Sequence, residues 1–217
     1  MEFKVKDLGL IGFPEAEAIQ RNVFEEVRSG SSEGALLLCQ HLPVITLGRS
    51  ANRKDIIASE QELAERGIKI FQTQRGGKVT YHGPGQLIAY PIFNLSYFKK
   101  DIHFFLRRLE EAVIELISDF GIRAERVAGS TGVWVRKQKI ASIGIAIRQW
   151  ITFHGLSLNI KKEDLGNFNL IKPCGMDIKM TSLETLAGRE IEMGEVREGF
   201  EKKFRAWLNV YSAHSAE

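Results

Sequence analysis

Apolar residues recur at helical spacing along three stretches of this chain and gather in short β-branched runs between them. The longest periodic stretch is Asp101–Phe120. It places Ile102, Phe105, Leu106, Leu109, Val113, Leu116, Ile117 and Phe120 on one face, and Gly121 ends it. A second helix is expected from Pro14 to about Arg28, with Ile19, Val23 and Val27 inward; proline suits a first turn, where its missing N–H has no partner to lose. A third covers roughly Glu195–Leu208, and the small, polar tail after Val210 is expected to fray. Ser59-x-x-Glu62 and Thr181-x-x-Glu184 read as capping boxes that open two short helices, the first stopping at Gly67.

The runs Phe3–Lys6, Ala35–Leu38, Val44–Leu47, Ile68–Gln72, Leu87–Leu95, Val133–Val135, Ile140–Ile147 and Ile151–Leu158 read as strands. Short turns such as Arg136-Lys137-Gln138 favour hairpins and antiparallel pairing. Strands outnumber helices and do not alternate with them regularly, which argues against a TIM barrel or a Rossmann fold. The expected class is α+β: a mixed, largely antiparallel sheet with packed helices, in a single domain over residues 1–217.

Composition narrows the function classes. At 217 residues, with 44% hydrophobic and 26% charged residues, the chain can bury a core without disulfide or metal staples. The net charge of +3 calls for no nucleic acid but suits an acidic partner. The two cysteines, Cys39 and Cys174, form neither a disulfide framework nor a zinc motif, so a reducing compartment and no metal are expected. The apolar run Leu8–Phe13 is six residues long, shorter than a secretory core, and no run reaches the length of a membrane span. A cytoplasmic protein is expected.

Four segments carry residues that do not serve packing. Arg75–Gln86 holds four glycines among donors Arg75, Lys78, Thr80, His82 and Gln86, and is expected to be a loop that approaches a ligand closely; a wide surface loop with turn glycines is the alternative. Lys139 follows Arg136, Lys137 and Gln138 and could be one more solvated turn cation. The alternation of the following strand, however, aligns it with Ala141, Ile143, Ile145 and Ile147 and so directs it into a cleft. In His154-Gly155-Leu156-Ser157, the mid-strand Gly155 marks a close approach of backbone or ligand, whereas a histidine there is commonly structural. Pro173-Cys174-Gly175 places a thiol in a loop, between a residue that fixes φ and one that frees it. Cys39, within Ala-Leu-Leu-Leu-Cys, reads as core. A thiol is mostly protonated at neutral pH, so a nucleophilic Cys174 needs a cation such as Lys139 beside it.

Together the segments R-G-G-K-V-T-Y-H-G-P-G-Q at 75–86, K-I-A-S-I-G at 139–144, F-H-G-L-S-L-N at 153–159 and P-C-G at 173–175 resemble the lipoyl(octanoyl) transferases, the lipoate-protein ligase B family, over about His41–Leu186. That resemblance implies the biotin/lipoate-protein ligase fold. It implies transfer of an octanoyl group from octanoyl-acyl carrier protein to a specific lysine of lipoyl domains of 2-oxo-acid dehydrogenases and of the glycine cleavage H protein. Cys174 would form an acyl thioester and Lys139 would lower its pKa and shuttle protons. Arg75, Gly76, Gly77, Lys78, Val79, Thr80, Tyr81 and His82, with Ser142, Ile143 and Gly144 and with His154, Gly155, Leu156 and Ser157, would line the acyl and thioester pocket. No cofactor or metal is implied, and a monomer is expected. Lys99, Lys100, Arg148, Lys161, Lys162 and Lys172 are candidate contacts for acidic partners. Three rival readings are an ATP-dependent ligase on the same fold, a non-catalytic binding module, and a cysteine hydrolase pairing Cys174 with His82 or His154.

Overall fold

The computed structural model describes residues 2–172 and 178–214. Its first strand, β1 (Lys4–Ile11), runs twice the predicted length. Polar Lys6 and Asp7 and a bulge between Asp7 and Leu10, with Gly9 at φ +63°, interrupt the alternation that would have announced it. It pairs in parallel with β2 (Gly34–His41), and α1 (Phe13–Ser29) is the crossover between them. Pro14 sits in the first turn of α1, and Gly30 caps its end in the left-handed region.

After β3 (Val44–Leu47), α2 (Glu60–Glu65) starts at Ser59, whose hydroxyl accepts from Glu62 N–H. Then come β4 (Lys69–Gln72), β5 (Val79–His82) and β6 (Gln86–Phe93). The predicted loop over Arg75–Gln86 thus contains a strand. Val79, Thr80, Tyr81 and His82 are all buried, so no two-residue period betrays it. Leu95 belongs to a 3₁₀ turn rather than to β6.

α3 (Ile102–Ser118) is capped by Asp101, which accepts from Phe104 N–H. β7 (Glu125–Val127), β8 (Ser130–Val135), β9 (Gln138–Arg148) and β10 (Ile151–Asn159) then form a meander, followed by a 3₁₀ segment at Glu163–Leu170. α4 (Leu183–Ala187) is capped by Ser182, not Thr181, whose hydroxyl has no partner among the described residues. α5 (Met193–His214) continues past Val210, where fraying was expected.

Seven strands order as β1-β2-β6-β10-β9-β8-β7, all neighbours antiparallel except β1 and β2. A second sheet orders as β4-β3-β5. One face of the large sheet packs on α3 and α5 through Leu109, Val113, Phe200 and Phe204; the other packs on α1 through Val23, Phe24 and Val27. The small sheet has its own core with Tyr81, Leu63 and Phe168. The largely antiparallel mixed sheet expected from the sequence is the one observed. No helix among the described residues is long and apolar enough to cross a membrane.

Candidate active site

β8 pairs with β9 only as far as Ala141. Beyond that point the edge of β9 is taken by the glycine-rich segment: Gly76 N–H donates to Ile145 O at 2.9 Å. The two backbones meet so closely that a Cβ on Gly144 would lie 2.7 Å from Gly76 O. Arg75 locks the segment from below. Its guanidinium donates to Thr46 O at 2.7 Å and to Thr46 Oγ1 and Gly76 O.

The space between this segment and the large sheet is a cavity of about 540 Å³. Arg75, Gly76, Gly77, Lys78, Val79, Thr80 and His82 line one side; Ser142, Ile143 and Gly144 of β9 and His154, Gly155, Leu156 and Ser157 of β10 line the other. Three segments far apart in sequence therefore converge. Tyr81 does not: it points into the core of the small sheet, where its hydroxyl donates to Asp164 at 3.2 Å and accepts from Asn167 at 2.9 Å. Burial, then the Asp164 charge, hold the Tyr81 phenol above its ordinary range.

Lys139 is buried, 5% exposed, and lines the same cavity. The expected alignment with Ala141 and Ile143 is corrected by a bulge. Trp134 pairs with Lys139 but Val133 with Ala141, so Ile140 is an inserted residue. Ile140 and Ala141 both enter the core, and the phase in which Lys139 would share their face is broken. The Lys139 ammonium lies 5.3 Å from the centroid of the Trp134 ring.

Cys174, with Pro173 and Gly175, lies outside the described residues. Both flanks of its segment are anchored. Lys172 N–H donates to Asp55 O at 2.7 Å on one side. On the other, Lys139 N–H donates to Lys179 O at 2.9 Å and Lys139 O accepts from Thr181 N–H at 3.0 Å. Cys39 is buried and its thiol is pushed up to about 12 by desolvation and then by Asp7. It behaves as the core residue its neighbours predicted.

Two buried histidines, His82 and His154, line the cavity, and a third, His41, packs behind them with its ring centroid 5.9 Å from that of His82. His82 is held well below the usual imidazole range by burial first and then by the charges of His41 and Arg75; its Nδ1 lies 3.1 Å from Gln86 Oε1. His154 is lowered to about 4 by burial and then by Arg75. His41, lowered by burial, bonds Tyr90 Oη at 2.6 Å. All three are neutral near pH 7. His154 also sits at φ +56° in mid-strand, its N–H donated to Gln20 Oε1 at 2.8 Å instead of to the ladder. The β10–β6 ladder stops at Leu156, short of His154, and Pro91 of β6 has no N–H with which to extend it. Gly155 beside it is required for space, since a Cβ there would overlap Ala89 O.

Sequence reasoning missed Phe13, Thr46, Ile88, Tyr90, Ile102, Leu106 and Ile145, and Gly129 of the β7–β8 turn with Ser130 and Thr131 at the start of β8, which complete the lining. Their apolar members are indistinguishable from core residues by pattern. Among the described residues no group of His, Cys, Asp and Glu is placed to hold a metal.

The fold and site define a two-sheet α+β protein in which a glycine-rich segment closes a cavity over a buried lysine, and comparison with known proteins places it in a family. The family described as lipoyl protein ligase A/B catalytic domain matches residues 13–205. The chain belongs to that family. It is 41% identical to an octanoyltransferase of Thermoanaerobacter sp. strain X514 over 99% of its own length and 92% of the relative's. It is 45% identical to an octanoyltransferase of Clostridium kluyveri over 90% and 84%. Among solved structures, a bipartite lipoate protein ligase from Thermoplasma acidophilum superposes with TM-score 0.73 at 16% identity, covering 96% of this chain and 84% of that one. A biotin protein ligase from Aquifex aeolicus in complex with biotin and ATP gives 0.59 at 15%, covering 97% and 72%. The structural matches establish the fold; the sequence relatives make the chain an acyltransferase.

Proposed function

We propose that the protein transfers an octanoyl group from octanoyl-acyl carrier protein to a lysine of lipoyl domains, by way of a thioester on Cys174. The observation that carries this reading is the convergence of segments 75–82, 139–144 and 154–157 on one cavity that contains the buried Lys139. The octanoyltransferase name of relatives over nearly the whole chain supports it.

In this reading the Cys174 thiolate attacks the carrier's thioester carbon. The new C–S bond forms, the carrier C–S bond breaks, and the carrier thiol departs with a proton relayed by Lys139. The acceptor lysine amine then attacks the enzyme thioester. The amide forms, the Cys174 C–S bond breaks, and the amine proton returns to the Cys174–Lys139 pair. Thioester exchange is close to isoenergetic and amide formation is downhill, so neither ATP nor a metal ion is consumed. The neutral histidines do not carry the charge that would stabilise a thiolate, which favours Lys139 over His82 or His154 in that role.

The acyl chain would lie against Ile88, Leu106, Ile143 and Leu156. Burying about seven methylenes at roughly 0.8 kcal/mol each contributes up to about 5 kcal/mol, which discriminates against short chains. Lipoyl domains of 2-oxo-acid dehydrogenases and the glycine cleavage H protein are the acceptors proposed.

The test supplies a lipoyl domain with octanoyl-acyl carrier protein in one arm and with free octanoate and ATP in the other. Modification in the first arm alone is expected. Modification in the ATP arm alone would assign the chain to the ligases instead.

A further inference from the structure

We propose that Glu110 is the positioning residue for Lys139, acting from α3 by holding Gly132 as the wall on which the lysine side chain rests. The inference depends on the reading of Lys139 as the proton-handling partner of Cys174.

Glu110 is fully buried in the middle of α3, a costly place for a carboxylate unless donors surround it. Its Oε2 accepts from Arg107 Nη1 at 2.7 Å and from Arg126 Nε at 3.1 Å. Its Oε1 accepts from the backbone N–H of Gly132 at 3.0 Å. Arg126 stands on β7 and Gly132 on β8, so one carboxylate grips both strands of the outermost hairpin. That hairpin needs an external grip. β7 is three residues long, lies at the sheet edge, and pairs with β8 through an irregular register.

What the grip secures is visible at Gly132. Its φ of +129° is open only to glycine, and a Cβ there would lie 2.6 Å from Lys139 Cε and 3.2 Å from Lys139 Nζ. The lysine therefore passes directly over the bare backbone of Gly132, with the Trp134 ring of the same strand on another side. The next residues back, Gly129, Ser130 and Thr131, line the cavity with it. A hairpin displaced by an ångström displaces the ammonium with it. Charge-assisted bonds are about twice as strong as neutral ones, which suits a clamp whose error is passed on to a reacting group. This also accounts for a buried carboxylate that the proposed chemistry does not itself use.

The test follows the pH dependence of Cys174 alkylation by iodoacetamide in the full chain, without any partner protein. Cys39, buried and pushed up to about 12, does not contribute. Wild type, Lys139→Ala, Glu110→Ala and Glu110→Gln are compared, with folding checked by circular dichroism. Lys139→Ala is expected to move the inflection upward toward the ordinary thiol value. Glu110→Ala is expected to follow it by about one pH unit, equivalent to about tenfold slower alkylation below the inflection. Glu110→Gln, which keeps an acceptor for Gly132 but loses the charge gripping two guanidinium groups, should fall between. If Glu110→Ala fails to fold, Glu110→Gln decides alone. A wild-type profile in either folded Glu110 variant, with Lys139→Ala shifted, overturns the proposal and leaves the reading of Lys139 standing. An unshifted Lys139→Ala overturns that reading itself.

Discussion

Exchanging His154 for Asn isolates one titration that the fold imposes. Buried at 3% exposure and facing the Arg75 charge, His154 is lowered from 6.5 to about 4. Between those values the unfolded chain binds a proton that the folded chain does not, so stability falls with falling pH in that window and is flat outside it. At about 1.4 kcal/mol per pH unit, the interval amounts to about 3 kcal/mol from this side chain. Asn does not titrate, and it tolerates the left-handed backbone at φ +56° that other residues resist. His41 and Asp164, also shifted, remain in both proteins and cancel in the comparison, and His82 keeps burial, its largest cause, while losing only its smallest, the His154 charge. Urea unfolding at pH 7, 6, 5 and 4 is the assay. The difference in unfolding free energy between the two proteins should change by about 2–3 kcal/mol in favour of the variant from pH 7 to 4. Parallel curves would show that His154 titrates normally in the folded state, and would refute the description of this buried histidine as neutral.

Three further outcomes follow from particular contacts. Tyr81→Phe should cost about 1–2 kcal/mol in a urea melt, because Asp164 and Asn167 lose a partner, yet leave the acyl-transfer rate unchanged because the hydroxyl faces away from the cavity. Gly144→Ala forces Gly76 O from a 2.7 Å contact, and should lower stability by about 1–3 kcal/mol and raise the donor KM measured in steady state. Arg148 and Lys172 changed together to Glu should raise the KM for the acidic carrier with little effect on kcat; an unchanged KM removes them as contacts.

Much of the large sheet was legible because its helices and strands carry their own periods. α3 reads from seven apolar positions at helical spacing, with Phe120 falling just past its end, and β10 from its β-branched start. The short elements of the site were not. β5 is buried on both sides and has no period; β7 has three residues and no room for one. The position of Lys139 depends on a bulge at Ile140, an event of pairing that the strand's own residues do not encode. The motif residues were found because glycine, lysine and histidine are out of place in a strand or a loop that only packs. Tyr81 was carried along by its neighbours in the motif and proved to serve the core of the small sheet. Glu110 was invisible because it sits at a helical position where a glutamate is ordinarily solvated; only its burial reveals it.

The central claim is a covalent one, an octanoyl group on Cys174. Intact-protein mass spectrometry after incubation with octanoyl-acyl carrier protein tests it most directly, with Cys174→Ser in parallel. The account predicts a mass gain of one octanoyl group in the wild type, released by hydroxylamine and absent from the Ser variant. Transfer to a lipoyl domain that persists in the Ser variant, with no adduct on the wild type, would contradict it.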